Sequence, residues 1–102
     1  MDINKAIATA IRTGKVLIGA KSALESVKTG KARLIIVATN CPQKTREDIA
    51  YYCGLSDIPL IAYNGTSVDM GAVCGKSFMV SVLTLREPGD SEILKLSEVA
   101  NV

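Results

Sequence analysis

The sequence predicts an α/β fold, a three-layer α/β/α sandwich, on three observations. Short, continuously apolar runs alternate along the chain with stretches whose apolar residues recur at helical spacing. The longest of these runs lacks the polar alternation of a sheet with one face in water, so helices should cover both faces. The connections are short, with no linker, repeat or low-complexity segment. With 102 residues, 48% hydrophobic and 22% charged, residues 1–102 read as one domain with enough apolar mass for a core.

Ile3, Ile7, Ala10 and Ile11 form the stripe of a first amphipathic helix, with Asp2 as N-cap and Gly14 as its terminator. Val16-Leu17-Ile18 is too short and too uniformly apolar for a helix and reads as a buried strand closed by Gly19. A second helix follows from about Ser22 to Lys28, with Ala20, Ala23, Leu24 and Val27 inward and Gly30 at its end. Leu34 to Ala38 has the pattern of a central strand. Thr45 with Asp48 resembles a capping box for a third helix that carries Ile49, Tyr52 and Cys53 and stops at Gly54. Pro59 to Tyr63 is a strand with its proline at the entrance, where no ladder donor is lost. Asn64-Gly65 turns the chain, and Thr66 with Asp69 caps a short helix that ends near Gly75. A fourth strand is predicted from about Phe78 to Leu85, then a turn at Pro88-Gly89-Asp90 and a last helix over residues 91–96.

Composition narrows the chemistry. Histidine is absent, which removes the usual general base, the commonest metal ligand and every Ser-His or Cys-His dyad. Cys41, Cys53 and Cys74, spaced 12 and 21 apart, match neither a disulfide framework nor CxxC zinc pairs and read as reduced thiols. No stretch reaches the roughly 20 apolar residues of a membrane span, and the N-terminus lacks a secretory apolar run, so a cytosolic protein is expected. Residues 1–50 carry nine Lys/Arg against four Asp/Glu, while residues 51–102 carry three against six. That asymmetry fits a basic face that meets an anion such as nucleic acid, and equally a set of solvated lysines.

Two segments resemble enzyme motifs and fall short. Gly71 to Ser77 is one residue short of P-loop glycine spacing and has its helix before the loop, so a helix C-terminus with Lys76 near its negative end is the simpler reading. Cys41 and Arg46 follow the central strand as in a cysteine-dependent phosphoryl enzyme. Their spacing is one position too close, and Pro42 removes an amide donor. Packing of Cys41 under a loop is the simpler alternative.

A third constellation is more coherent. Gly19, Lys21 and Ser22 join a strand to a helix N-terminus, where amides and a cation converge on one point. Asn40, Lys44 and Arg46 leave the next strand, and if the two strands are parallel both loops share one sheet edge. Asn40 offers donor and acceptor atoms that can read a base edge. Phe78, the only phenylalanine, sits beside Lys76 at a strand's mouth. It either packs in the core or stacks an unpaired base while the cation meets phosphate.

Taken as a set, Thr13-Gly14-Lys15, Gly19-Ala20-Lys21-Ser22, Leu34 to Asn40, Glu47-Asp48, Tyr51-Tyr52, Gly65, Gly71, Gly75-Lys76 and Gly89-Asp90-Ser91 resemble the archaeal and eukaryotic family of large-subunit ribosomal protein thirty (e-type), within the kink-turn RNA-binding superfamily. The likeness runs from the first helix to Leu96. It implies a mixed four-stranded sheet in the sandwich and a ribosomal, non-enzymatic, cytoplasmic role without cofactor or metal. The implied partner is a sharply bent internal loop of large-subunit ribosomal RNA, with neighbouring ribosomal proteins beyond it. No membrane contact is implied, and the free chain is expected to be a monomer. The implied RNA contacts are Gly19, Lys21 and Ser22 in one loop, Asn40 and Lys44 in a second, and Lys76 and Phe78 in a third. Kink-turn proteins of guide-RNA and processing complexes carry an Asn-Glu pair where this chain has Lys21-Ser22, which favours the ribosomal branch. Thr45 stands where some relatives have a basic residue.

Overall fold

The computed structural model of the protein describes residues 2–94. Four helices and four strands alternate: α1 (Ile3–Thr13), β1 (Lys15–Ile18), α2 (Ala20–Lys28), β2 (Leu34–Val37), α3 (Gln43–Ser56), β3 (Leu60–Ala62), α4 (Ser67–Val73) and β4 (Val82–Glu87). The strands form one sheet in the order β1-β4-β2-β3. β2 and β3 are parallel, while β4 runs antiparallel to both β1 and β2. β1 and β2 therefore run the same way without touching, and the loops that leave them emerge at one end of the sheet.

The strand period of two builds the layers. Leu34 and Ile36 of β2, with Leu83 and Leu85 of β4, pack against Ala6, Ile7 and Ala10 of α1 and Met70 of α4. Ile35, Val37 and Val82 face the other way, onto Ala23 and Val27 of α2 and Ile49 and Cys53 of α3. All four residues of β2 are buried, because β2 is interior to the sheet and covered on both faces.

Local chemistry sets most boundaries as expected. The Asp2 carboxylate accepts from Asn4 and Lys5 N–H at the start of α1, and a reciprocal box between Thr66 and Asp69 starts α4. Five expectations need correction. β1 is a half-buried edge strand, since only β4 flanks it. α3 begins at Gln43 after Pro42 with no side-chain cap, which places Thr45 inside the helix. Gly54 does not stop α3. The helix runs to Ser56 because Asp57, left-handed at φ 58°, supplies the terminating turn and sends its N–H to Cys53 O.

The fourth correction concerns β4, which starts at Val82 and not at Phe78. Residues 78–80 are held against α4 instead of joining the sheet: Val80 N–H donates to Ser67 O, and Gly71 meets the Phe78 carbonyl so closely that a Cβ there would sit 2.2 Å from it. A helix expected over residues 91–96 is absent from residues 91–94, which turn instead, and residues 95 and 96 lie outside the described residues.

Candidate functional site

Three loops meet at the end of the sheet where β1, β2 and β3 finish and β4 begins. Gly19 follows β1 at φ 109°, a backbone shape that L side chains avoid, and its N–H donates to Val82 O at the start of β4. A Cβ at Gly19 would meet nothing within 4 Å, so its side of the loop is open to an approaching backbone. Lys21 is exposed and Ser22 half-buried on the first turn of α2. Lys21 makes no ion pair among the described residues.

Asn40, which follows β2, is tied to the N-terminus of α4. Its Nδ2 donates to Ser67 Oγ at 3.1 Å, and its Oδ1 accepts Ser67 N–H at 2.8 Å. The amide has a second N–H for a ligand. Thr39 N–H and Oγ1 both donate to Gly65 O, each at 2.9 Å, fastening the same loop to the turn after β3. Ser67 O in turn accepts Val80 N–H at 2.9 Å. Ser67, 3% exposed, is thus the buried hub that connects the Asn40 loop with the loop before β4.

Arg46 takes part in this stitching. One guanidinium nitrogen, Nη2, donates to Ala38 O at 3.0 Å and Thr39 O at 2.7 Å, so the side chain holds the end of β2. Burial pushes the Cys41 thiol above its ordinary value of 9.0, against a smaller lowering by Arg46. Cys41 is 6% exposed and Arg46 spends Nη2 on backbone carbonyls, which favours packing of Cys41 over the phosphoryl site that the spacing resembled. Burial likewise raises Cys53 and Cys74, and all three cysteines are free. Among the described residues no group of three or more His, Cys, Asp or Glu could hold a metal ion, and no helix is long and apolar enough to cross a membrane.

Phe78 resolves the choice between core and loop, since it is 57% exposed. Met79 and Val68 are comparably exposed, and the Val80–Ser67 bond brings Met79 alongside the first turn of α4. An apolar surface therefore lies next to Lys76, which is exposed and makes no ion pair among the described residues. Lys44, on the first turn of α3, is 89% exposed in its side chain and 3.9 Å from Asp48. An exposed pair of that kind is worth little and leaves the lysine able to exchange partners.

All seven residues expected at the site lie in the loops or adjoining first turns of this pole. The sequence reading missed Ser67 as hub, Gly71 as the close-approach point, and Val68 and Met79 beside Phe78. Gly71 carried a signal, a glycine inside a helical stretch, while Phe78-Met79-Val80 was hidden by its strand-like composition.

The model for the ribosomal protein L7Ae/L30e/S12e/Gadd45 family matches residues 1–95. The chain is 47% identical over 96 residues to large ribosomal subunit protein eL30 of Methanothermobacter thermautotrophicus, covering 94% of this chain and 98% of the relative. It is 48% identical over 94 residues to eL30 of Methanobrevibacter smithii, covering 92% and 95%. A solved structure described as a protein with unknown function from Bacillus halodurans superposes with a TM-score of 0.83 at 22% identity, covering 94% of this chain and 95% of that one, and shares the fold. With the family matched along almost the whole chain and relatives of nearly half identity aligned end to end, the chain belongs to the ribosomal protein L7Ae/L30e/S12e/Gadd45 family.

Proposed function

We propose that this chain is a structural constituent of the large ribosomal subunit in the cytoplasm, acting without catalysis, and that it binds a kink-turn-like bent internal loop of ribosomal RNA. The contacts are Gly19, Lys21, Ser22, Asn40, Lys44, Lys76 and Phe78. The observation that carries this reading is the exposed Phe78 beside Lys76, which makes no ion pair among the described residues, on a loop held against α4. A ring in water costs the folded protein apolar exposure, and it is useful where an unpaired base can stack on it while a cation meets the adjacent phosphate. The names of the relatives support the ribosomal setting. The open Gly19 side and the spare Asn40 N–H supply the backbone and base-edge contacts.

RNA that copurifies with the chain tests this directly. Large-subunit ribosomal RNA enriched around a bent internal loop is the expected result, whereas enrichment of small guide RNAs would move the chain to the other kink-turn branch. The free protein should sediment as a monomer, and a dimer without RNA would contradict that part of the reading.

A further inference from the structure

Outside the rim formed by the Gly19, Asn40 and Lys76–Phe78 loops, α2 and the edge of the sheet enclose a polar groove of about 120 Å³. Ser22, Ser26 and Thr29 line it from α2, at spacings of four and three that place them on one flank of the helix. Leu17 and Arg86 line it from the sheet, and Lys31 borders it just past the helix. Alternation along β4 puts Val82, Thr84 and Arg86 on the face that α2 and α3 cover, so Arg86 is a cation on the face that carries Val82 and Thr84.

Two groups in this groove make no ion pair or side-chain hydrogen bond among the described residues. Arg86, half-buried, makes no ion pair among the described residues, while its neighbour Glu87 lies 3.9 Å from Arg33. Ser26 is only 4% exposed, lines the groove, and its hydroxyl makes no hydrogen bond among the described residues. The fully enclosed hydroxyl without a hydrogen bond among the described residues is that of Thr84, on the same sheet face as Arg86. The Thr29 hydroxyl is already used, donating to Glu25 O at 2.9 Å.

We propose that this groove is a phosphate track, in which Arg86, Lys31 and the Ser22 and Ser26 hydroxyls hold backbone phosphates of the RNA strand that leaves the rim. The proposal rests on the RNA-binding reading above. The donor set fits an oxyanion: a guanidinium presents a planar fork to two phosphate oxygens, an ammonium adds a mobile charge, and hydroxyls donate into the same space. Ser22 belongs to both surfaces, so the rim and the groove are continuous. The nine residues of α2 span about 13 Å at roughly 1.5 Å per residue. Phosphates of one strand advance about 3.4 Å per step along a duplex axis, so more than one fits beside the helix. Glu25 also lines the groove, and its carboxylate opposes an anion. It therefore provides a substitution that should tighten binding.

The experiment uses the full chain and two RNAs, a bent internal loop with both flanking strands and the same loop trimmed to its closing pairs. Arg86→Gln should weaken the long RNA about tenfold, lower the slope of log affinity against log salt by about 0.7 to 0.9, and leave the trimmed RNA unaffected. Glu25→Gln should strengthen the long RNA about twofold, and it decides the matter if Arg86→Gln fails to fold. Long-RNA affinities equal to wild type in both variants, with Lys21→Gln still weakening both RNAs, would overturn the track and leave the rim intact. If Lys21→Gln also changes nothing, the rim reading fails with it. Equal losses on both RNAs would also overturn the track, because they would mean a general structural effect of Arg86. Inorganic phosphate, followed through the Arg86 side-chain N–H resonance, separates the two sources of the anion. Displacement of phosphate by the long RNA supports the track, and saturable phosphate binding that RNA does not displace overturns it.

Discussion

At the pole where β4 ends, backbone lies on backbone. A Cβ on Gly14 would sit 2.2 Å from the Glu87 carbonyl, and one on Gly89 2.4 Å from Thr13 C, while Asp90 N–H donates to Thr13 Oγ1 and Ser91 Oγ to Ala6 O. At the opposite pole Asn40, Ser67 and Val80 are joined by polar bonds, yet Phe78, Met79 and Val68 remain in water and Lys21 and Lys76 make no ion pair among the described residues. The first pole closes the end of α1 onto the sheet through backbone contact. The second is as firmly built but directs its apolar and cationic groups outward. On the proposed reading, the bonds that serve stability at one end serve preorganisation at the other, which lowers the ordering cost of binding.

The largest expected effects come from Gly14 and Gly71, one tight glycine at each pole. Gly14→Ala and Gly71→Ala each place a methyl 2.2 Å from a carbonyl oxygen, and each should cost about 1–3 kcal/mol of stability by denaturant unfolding. Only Gly71→Ala should also weaken RNA binding, because the carbonyl it displaces belongs to Phe78. Similar losses of affinity for the folded fraction of both variants would erase the distinction between the poles.

Phe78→Ala should follow. It is expected to cost about 1–3 kcal/mol of RNA affinity with little change in the salt slope, and to alter stability by no more than about 0.5 kcal/mol, as for an exposed side chain. Phe78→Tyr should retain binding. A large loss of stability with affinity intact would return the ring to the core and remove it from the rim.

Single lysine replacements are milder still. Lys21→Gln and Lys76→Gln should each flatten the salt slope by about 0.7 to 0.9 if each meets one phosphate. Lys44→Gln should do less, because Asp48 already shares that charge at 3.9 Å. An unchanged slope clears the lysine concerned.

The smallest effect near neutral pH involves the thiols beneath both poles. Burial raises Cys41, Cys53 and Cys74 above 9.0, so these thiols favour the folded state fully below that pH. As pH rises past it, the unfolded chain ionises first and stability falls until the folded thiols titrate too. Unfolding curves from pH 7 to 10 should be flat and then decline, and alkylation of the native thiols at pH 7 should be slow. Rapid labelling of Cys41 at neutral pH would contradict its burial.

The layers were legible because periodicity is a local record of burial: Leu34 to Ala38 has no polar residue, and the interior strand needs none. The caps at Asp2 and Thr66 were legible for the same reason, since a cap is chemistry within four residues. The end of α3 was not, because Asp57 takes a left-handed shape in which glycine is the expected residue, while Gly54 lies in open helix. Gly19, Lys21, Ser22, Asn40, Lys44, Lys76 and Phe78 could be named from loop position and residue type.

What the sequence by itself determined is therefore the alternation of helices and strands, the two buried faces of β2 and the chemical character of the loops, since each follows from neighbours along the chain. The start of β4 was decided only in the folded structure, because the apolar run from Phe78 satisfies a strand's composition as well as a loop's. The close contact of Gly71 with the Phe78 carbonyl and the Val80–Ser67 hydrogen bond hold that run on α4 and leave Phe78 and Met79 in water. The role of Ser67 as hub was likewise tertiary: it joins residues 27 positions away through Asn40. The physical reason is the same in both cases, because propensity and periodicity act within a few residues, whereas a close approach of two backbones depends on where the sheet has already placed them.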